Sequence, residues 1–407
     1  MKEFATLTDT QVALLAATGG LPLETADRMI ENVVGVMPVP IGIAVNFLIN
    51  GRDCLIPMAV EEPSVVAAAS NGAKMARGKG GFTTSSTRSL MVGQIQVIGV
   101  KDPHRARQDV LGSQEEILTT ANLQDPILTS LGGGAESVEA RVLSFGEESM
   151  LIVELVVDCL DAMGANAVNT MVEAVAPTIE AITGGEVYLR IVSNLADRRL
   201  ARAKAVITSE AIGGTEVVDG ILHAYAFAAA DPYRCTTHNK GVMNGVSAVV
   251  LATGNDTRAI ESGAHAYACR TGRYQPLTTW EKNDEGDLVG TIELPVAVGI
   301  VGGATKANPI AQINLKILDV ETAKELGEVL AAVGLAQNLA ALRALAAEGI
   351  QRGHMALHAR NIALEAGATG NLIDIVARRM TEEGTVRLDR AKTLLREIQV
   401  ETDSDGT

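Results

Sequence analysis

Apolar residues near the start of the chain predict a β-hairpin. Residues Ile41–Ile49 and 54–60 are both rich in aliphatic side chains, and the dipeptide Asn50-Gly51 separates them. Asn-Gly is favoured in two-residue hairpin turns because both residues adopt a positive φ there at low cost. We therefore expect two antiparallel strands, followed by an Ala-rich helix with Pro63 in its first turn.

Farther along, the apolar period switches between two residues, typical of strands, and 3.6 residues, typical of helices. The Gly-, Ser- and Thr-rich residues 77–89 predict a hinge or binding loop. The pattern predicts strands at 91–100, 138–145, 150–158 and Glu186–Val192, and helices at 7–17, 22–30, 105–123, Ala165–Thr183, 322–348 and 353–363.

This order of elements predicts the α+β class. A run of strands and helices at 89–198 interrupts a larger mixed unit, so we expect a small inserted α+β domain there. The large domain would comprise residues 1–88 and 199–349, and a final helical section would cover 350–407.

Polar residues flank an apolar, β-branched run at 246–253, which lies between Gly245 and Gly254. We interpret this run as a buried strand with loops at both ends. One loop would present Arg234, His238, Lys240 and Asn244, and the other Asn255, Asp256 and Arg258. Such loops bring an ammonium and a carboxylate to one substrate, although a surface salt bridge at the ends of a core strand explains the same pattern.

Two further segments carry candidate acid and base groups. Glu61 and Glu62 follow a buried-looking strand at the expected helix start, where carboxylates also stabilise the helix dipole. His354 and His358 lie one helical turn apart. That spacing suits a zinc site, but no HExxH glutamate and no third ligand accompany it, which favours an acid or orienting pair. A structural role for His358 stays open.

Composition excludes several classes of protein. Among 407 residues the formal net charge is −15 and no basic stripe is visible, which argues against nucleic-acid binding. Residues 1–10 lack the apolar core of a signal peptide, and polar residues interrupt the apolar segment 329–347, so we expect a cytoplasmic protein without a membrane span. The scattered cysteines, without a CxxC pair, signal neither a disulfide framework nor a zinc site. They are Cys54, Cys159, Cys235 and Cys269.

The glycine-rich segments match neither a P-loop nor a Rossmann fingerprint. The segment DAMGANAVNT, from Asp161, nevertheless lies between an expected strand and an expected helix. Gly164 would then place backbone N–H groups at a helix N-terminus, where a pyrophosphate binds favourably. An ordinary tight turn before a helix explains these residues equally well.

Seven motifs in one order carry a family resemblance. They are ENVVG from Glu31, PMAVEEPSVVAAAS from Pro57, DAMGANAVNT from Asp161, DPYRCTTHNKGVMNG from Asp231, ATGNDTRAIE from Ala252, VGGATK from Val301 and GHMALHARN from Gly353. Together they resemble 3-hydroxy-3-methylglutaryl-coenzyme A (HMG-CoA) reductase of the bacterial soluble class, from about Leu21 to near the C-terminus.

The resemblance implies a reaction and its residues. HMG-CoA would be interconverted with mevalonate and coenzyme A through mevaldehyde, in two hydride transfers. By similarity Lys240 would stabilise the oxyanion, Glu62 would donate a proton, Asp256 would link these two, and His354 would protonate the coenzyme A thiolate. The matching substrate-binding positions are Ser64, Arg234, Asn244 and His358.

The resemblance also implies a nicotinamide nucleotide on a ferredoxin-like, non-Rossmann small domain, with no metal. Asp125 resembles the position of a carboxylate that bonds the ribose 2′-hydroxyl and repels a 2′-phosphate, which predicts NAD(H) over NADP(H). The other matching positions on the cofactor side are Asp161, Met163, Gly164, Asn166, Asn169 and Asn194.

Members of the family complete the site across a dimer interface, so a homodimer or a multiple of it is expected. The chain begins close to TDTQVALLAATGGLP and lacks a short N-terminal stretch that can contribute to coenzyme A binding in relatives, so the anchoring residues are left unassigned. Two alternatives stay open at this stage: a zinc-dependent hydrolase that uses His354, His358 and Glu62, and a catalytically idle coenzyme A-binding homologue. The sequence does not decide whether mevalonate is made or degraded.

Overall fold

The computed structural model describes the backbone of residues 2–17, 20–347 and 350–404, and their side chains except those of 350–357 and 399–404. Within these residues the strands are β1 Ile41–Ile49, β2 Arg52–Ala59, β3 Phe82–Ser86, β4 Leu90–Ile98, β5 Gly134–Phe145, β6 Glu148–Asp158, β7 Glu186–Val192, β8 Leu200–Ile207, β9 Thr278–Lys282 and β10 Leu288–Pro295. The helices are α1 Asp9–Ala16, α2 Leu23–Asp27, α3 Val65–Ala76, α4 Pro103–Gly112, α5 Gln114–Asn122, α6 Pro126–Ser130, α7 Ala165–Thr183, α8 Ser209–Ile212, α9 Thr215–Ala230, α10 Pro232–Ala252, α11 Thr257–Ala268, α12 Gly303–Ala307, α13 Pro309–Leu318, α14 Ala323–Ala347, α15 Ile350–Glu365, α16 Asn371–Glu382 and α17 Leu388–Ser404.

A six-stranded sheet, in the order β2-β1-β3-β8-β10-β9, forms the larger layer. Its hairpin β1–β2 is antiparallel, as the sequence predicts, and turns at Asn50 and Gly51 with φ values of 49° and 81°. Strand β3 pairs with β1 in parallel and with β8 antiparallel. The chain therefore leaves this sheet after β3 and returns to it as β8.

Between those two strands the chain builds a second, four-stranded antiparallel sheet, in the order β5-β6-β4-β7. The elements follow as strand, helices, two strands, helix and strand, which is the ferredoxin-like arrangement. Helix α7 covers the sheet with an apolar stripe at helical spacing, in which Val168, Met171, Val172, Val175 and Ile179 are buried. The predicted α+β class is confirmed, whereas the limits of the domains stay a prediction.

Helix α14 lies at the centre of the larger layer. It packs against α3, α9, α10 and β8, and is apolar on most of its faces. By length and composition it is the one helix among the described residues that could cross a membrane, but 72% of its most apolar window is buried inside the protein. It corresponds to the helix that the sequence predicts at 322–348, and its burial makes it a core helix.

The C-terminal helices α15, α16 and α17 pack around a hydrophobic cluster of their own. Helix α16 contributes Val376, Ala377 and Met380 to that cluster, and α17 contributes Leu394 and Leu395. The predicted helix at 353–363 is thus part of a compact helical unit that follows α14.

One predicted strand is wrong. Residues 246–253 belong to the end of α10 and the turn after it, so Arg234, His238, Lys240 and Asn244 lie on that helix rather than in a loop. The run is apolar because α10 packs against α14, α9 and β2 at once, and a short buried run does not distinguish helix from strand by period alone. Asp231 caps the helix and Pro232 begins it, which are the start signals that favour the helix.

Three smaller predictions also need correction. Within residues 77–89, Arg77–Lys79 is a 3₁₀ turn and Phe82–Ser86 is strand β3, so most of this segment is not a loop. Phe82 is buried in the core and β3 pairs on both sides. The helix expected at 105–123 is divided at Ser113 into α4 and α5. Pro63 precedes the first turn of α3, whose N-cap is Ser64, so Glu61 and Glu62 lie in the turn before the helix.

Candidate active site

Helix α10 brings its central lysine to the turn that follows β2. The Lys240 Nζ atom lies 2.9 Å from Glu62 Oε2, although the two residues are 178 positions apart in sequence. The Lys240 side chain is 58% exposed and that of Glu62 39% exposed, so solvent screens their attraction. The structure therefore places an ammonium beside a carboxyl group that substrate can reach.

A cavity of about 510 Å³ opens beside this pair. Its floor is apolar, with Met243, Ala248 and Leu251 from α10. Asn244 also lines it, one turn after Lys240, and its amide makes no hydrogen bond among the described residues. The cavity combines an apolar surface with a few convergent polar groups, as ligand sites do.

Ser64 lies beside Glu62 in a strained conformation. Its φ is 76°, in the left-handed region that a non-glycine residue rarely occupies. Its buried hydroxyl has no hydrogen-bond partner in the part of the chain that is described. Strain and an unpaired buried hydroxyl at one residue are typical of a ligand-binding position.

Arg234 occupies a different side of α10 from Lys240. Six residues separate them, which at 3.6 residues per turn places their side chains about 120° apart around the helix. Its guanidinium has no carboxylate partner among the described residues, and burial lowers the pKa of Arg234. Arg234 can therefore still bind a carboxylate, but from another direction than the Lys240–Glu62 pair.

Asp256 is the N-cap of α11. Its carboxylate accepts hydrogen bonds from the backbone N–H groups of Arg258 and Ala259, and pairs with the Arg258 guanidinium at 2.9 Å. It makes no hydrogen bond to Lys240 or Glu62 within the described chain. Arg258 and Thr257 line the cavity, so Asp256 lies at its border, and its link to the other two stays a prediction.

The two C-terminal histidines belong to α15. The side chain of His354 lies outside the described residues. His358 is exposed, and its ring makes no hydrogen bond or ion pair to the side chains that the structure describes. No group of three metal-ligating side chains occurs among the described residues, which do not include the side chain of His354.

The start of α7 has the features of an anion site. Gly164 is its N-cap with a φ of 101°, and no side chain caps the first turn of this 19-residue helix. A Cβ atom at Gly164 would lie 2.3 Å from Cys159 Sγ, so only glycine fits. The N–H groups of the first turn are thus free to bind an anion.

Several other predicted nucleotide-binding residues make contacts within the fold. Asp161 Oδ1 accepts a hydrogen bond from the Ala323 N–H at the start of α14, and the amide oxygen of Asn169 accepts one from Val192 N–H. Asn166 is exposed in the first turn of α7. The Asn194 carbonyl lies against Gly263 of α11, where a Cβ would approach it to 2.7 Å.

Asp125 has a structural task as well as a predicted one. It is the N-cap of α6, and its Oδ1 accepts a hydrogen bond from Leu128 N–H at 2.9 Å. The second carboxylate oxygen makes no hydrogen bond among the described residues. One oxygen therefore holds the helix while the other remains able to accept a hydroxyl.

Two sets of residues escaped the sequence analysis. Ser247, Glu261 and His265 line the same cavity as Lys240 and are hydrogen-bonded to one another. Interpreting 246–253 as a strand hid Ser247, and the packing of α10 against α11 that joins the three residues has no signal in the sequence. The second is Arg199, which is buried and donates to the carbonyls of Ala162, Met163 and Val298.

Comparison with known proteins decides the family. The sequence model of hydroxymethylglutaryl-coenzyme A reductase matches residues 1–359. The chain belongs to this family. A protein from Archaeoglobus fulgidus named 3-hydroxy-3-methylglutaryl-coenzyme A reductase is 63% identical over 397 residues, covering 98% of this chain and 91% of the relative. A protein named as a probable reductase of this kind, from Borreliella burgdorferi, is 38% identical over 343 residues, covering 82% and 77%.

Solved structures support the same family and also indicate the class within it. The class II reductase of Streptococcus pneumoniae, bound to NADPH in open conformations, superposes with a TM-score of 0.82 at 38% identity, covering 98% of this chain and 97% of that one. A second structure from the same organism gives 0.83 at 38% identity, covering 98% and 96%. The protein is thus an oxidoreductase and a class II member of this family, the bacterial soluble class that the seven motifs predict.

Proposed function

We propose that the protein catalyses the two-hydride interconversion of HMG-CoA with mevalonate and coenzyme A. The observation that carries this proposal is the Lys240–Glu62 pair, held at 2.9 Å on the wall of a cavity in a member of the reductase family. Reduction of a thioester to an alcohol consumes two hydrides and two protons and releases a thiol. The site must therefore stabilise an oxyanion twice and supply protons.

Lys240 supplies fixed positive charge at the carbonyl oxygen. A cation already in place costs no reorganisation when negative charge develops, and such preorganised groups contribute much of the catalysis in many enzymes. Glu62, at hydrogen-bond distance from Lys240, delivers a proton to the oxygen in the aldehyde step. Asp256 at the start of α11 holds the network together, directly or across a subunit contact.

His354 protonates the departing coenzyme A thiolate, because imidazole exchanges protons near neutral pH. On the substrate side, the Ser64 hydroxyl has no hydrogen-bond partner and the Arg234 guanidinium no carboxylate partner among the described residues. Both groups suit the carboxylate of the hydroxymethylglutaryl group. Asn244 offers a free amide in the cavity. His358 completes this set from the C-terminal helices.

The nicotinamide nucleotide, when bound, supplies the hydride. The uncapped start of α7 fits its pyrophosphate, since Gly164 exposes the N–H groups of a long helix. The further nucleotide-binding residues are Asp161 and Met163 before this helix, Asn166 and Asn169 in its first two turns, and Asn194. Arg199 positions the Ala162 and Met163 carbonyls beneath them.

Asp125 directs the choice toward NAD(H), because its free oxygen accepts a ribose hydroxyl and its charge repels a 2′-phosphate. Replacing Asp125 by Ser keeps a helix N-cap and removes the charge. We expect the ratio of kcat/KM for NADH over NADPH to fall about tenfold in this variant, roughly 1.4 kcal/mol. Asp102→Ser is the matched control, since Asp102 caps α4 in the same Asp-Pro context. Equal kcat/KM values for both nucleotides in the wild type would refute the preference.

Three further properties belong to this proposal. Residues 1–88 and 199–349 form the substrate domain, 89–198 the nucleotide domain and 350–407 a helical flap, which the separate hydrophobic cluster of α15 to α17 supports. The working unit is a homodimer or a multiple of it. The protein acts in the cytoplasm.

The test is the stoichiometry of nucleotide consumption. Purified protein is mixed with HMG-CoA and reduced nucleotide, and absorbance at the nicotinamide band is followed to completion. Two nucleotides consumed for each free thiol released support the proposal. A thiol released without nucleotide consumption would show a hydrolase instead, and no reaction with either nucleotide would refute the reductase.

A further inference from the structure

Three polar side chains that line the cavity, Ser247, Glu261 and His265, form a hydrogen-bonded chain that continues to Tyr274. The Ser247 hydroxyl on α10 donates to Glu261 Oε1 on α11. Glu261 Oε2 lies 3.3 Å from His265 Nε2, one turn farther along α11. His265 Nδ1 lies 2.8 Å from the Tyr274 hydroxyl, in the segment after that helix.

The direction of these hydrogen bonds follows from the chemistry of the groups. A carboxylate only accepts, so Nε2 of His265 carries the proton that faces Glu261. In the neutral ring Nδ1 is then an acceptor, and the Tyr274 hydroxyl donates to it. Every donor in the chain therefore points toward Glu261.

This arrangement keeps Glu261 ionised. Hydrogen bonds from His265 and Ser247 lower the pKa of Glu261, against the opposing effect of its partial burial. Both ring nitrogens of His265 are engaged in these contacts, so the imidazole orients Glu261. The carboxylate is a fixed anchor on α11.

That anchor connects the two helices that carry proposed catalytic groups. Ser247 follows Lys240 by seven residues, which is two turns on the same face of α10. Glu261 follows Asp256, the N-cap of α11, by five residues. The Ser247–Glu261 hydrogen bond thus fixes the rotation and spacing of α10 relative to α11 at the cavity.

We propose that Glu261, held by Ser247 and His265, is a positioning residue that sets the placement of Lys240 relative to Asp256. This inference rests on the proposed reductase function. Small displacements of catalytic groups lower the rate steeply, so loss of this anchor lowers kcat while the nucleotide site at the start of α7 is unaffected.

The test is Glu261→Gln, whose amide offers only one acceptor to the two donors and carries no charge. We expect kcat to fall about 10- to 100-fold with KM for the nucleotide unchanged within about twofold. Ser247→Ala should give a smaller loss in the same direction, and Ser247→Thr, which keeps the hydroxyl, should restore the rate.

Glu328→Gln is the matched control. Glu328 on α14 is a half-buried carboxylate that accepts from the hydroxyls of Thr84 at 2.8 Å and Ser86 at 2.9 Å, away from the cavity. The Glu328→Gln variant loses a charge and hydroxyl hydrogen bonds of the same kind as Glu261→Gln does. Its kcat should stay within about twofold of the wild type, which separates placement of Lys240 from a general loss of stability.

Each outcome is decisive. A kcat for Glu261→Gln within twofold of the wild type, or reduced no more than in Glu328→Gln, overturns the inference. A raised KM for HMG-CoA with unchanged kcat overturns it too, because Glu261 would then bind substrate directly. If the wild type itself consumes no nucleotide, the proposed function has failed, which is a distinct result from an active wild type with an active Glu261→Gln variant.

Discussion

His238 on α10 is a buried histidine that the fold keeps neutral. Its Nε2 lies 2.7 Å from Thr278 Oγ1, and the Thr278 hydroxyl in turn donates to Asn338 Oδ1 at 2.9 Å. Since that hydroxyl has a single proton, Nε2 of His238 must be the donor in the first bond. Its Nδ1 has no hydrogen-bond partner among the described residues. Burial, with the nearby Arg234 cation, lowers the pKa of His238 to about 3.

The lowered pKa makes stability depend on pH. In the unfolded chain His238 takes up a proton below its ordinary value of 6.5, whereas the folded protein resists protonation until about pH 3. The free energy of unfolding therefore falls as the pH falls from 6.5 toward 3, by about 1.4 kcal/mol per pH unit. Between pH 7.5 and pH 5 this contribution amounts to a loss of about 2 kcal/mol.

Urea unfolding of the wild type and of His238→Gln measures this loss. Gln has no proton to gain, so the wild type should lose about 2 kcal/mol more than the variant between pH 7.5 and pH 5. Both are measured at one protein concentration, because association contributes to stability. His223→Gln, at an exposed position on α9, is the control. An equal pH-dependent loss in wild type and His238→Gln would refute a neutral buried imidazole.

Two further predictions concern packing. Gly72→Ala should destabilise the protein by roughly 1–3 kcal/mol or more, since a Cβ there would lie 2.1 Å from the Ala336 carbonyl oxygen of α14. In the same unfolding measurement Gly112→Ala, where a Cβ would meet open space, should be neutral or slightly stabilising. Arg199→Met should lower the free energy of unfolding by about 3 kcal/mol or more, because three buried carbonyls lose their donor. It should also raise the KM for the nucleotide. A KM equal to that of the wild type would contradict the role of Arg199 in positioning the Met163 carbonyl.

Several local elements could be predicted from the sequence because each carries its own signal. Helix α7 and strand β7 begin and end where the period predicts, and the β1–β2 hairpin follows from Asn50-Gly51. In these elements one face is apolar and the other polar, so the period is visible.

Helix α10 could not be predicted in the same way. It is packed on several sides, and burial removes the polar face that would reveal its period. The wrong prediction for this helix also hid a group of residues at the site. Ser247, Glu261 and His265 come together only because two helices pack side by side, which no spacing along the chain records.

The residues of the site divide in the same manner. The proximity of Lys240 and Glu62 follows from the resemblance of their motifs, and the structure brings the two together across 178 positions. The capping role of Asp256 is local and is specified by the following Arg258 and Ala259. The strain at Ser64 depends on the path of the chain between β2 and α3. Its positive φ therefore has no signal in the sequence around it.

The central claim is that Lys240 meets the negative charge that develops on the substrate oxygen. Lys240→Met removes the charge with little change in length, and Lys79→Met is the matched control, because Lys79 also pairs with a glutamate, Glu285, at 2.9 Å. We measure kcat for nucleotide oxidation with HMG-CoA at saturating concentrations. The account predicts a loss of about 10²- to 10³-fold for Lys240→Met and less than about twofold for Lys79→Met. Undiminished turnover in a folded Lys240→Met variant would contradict it.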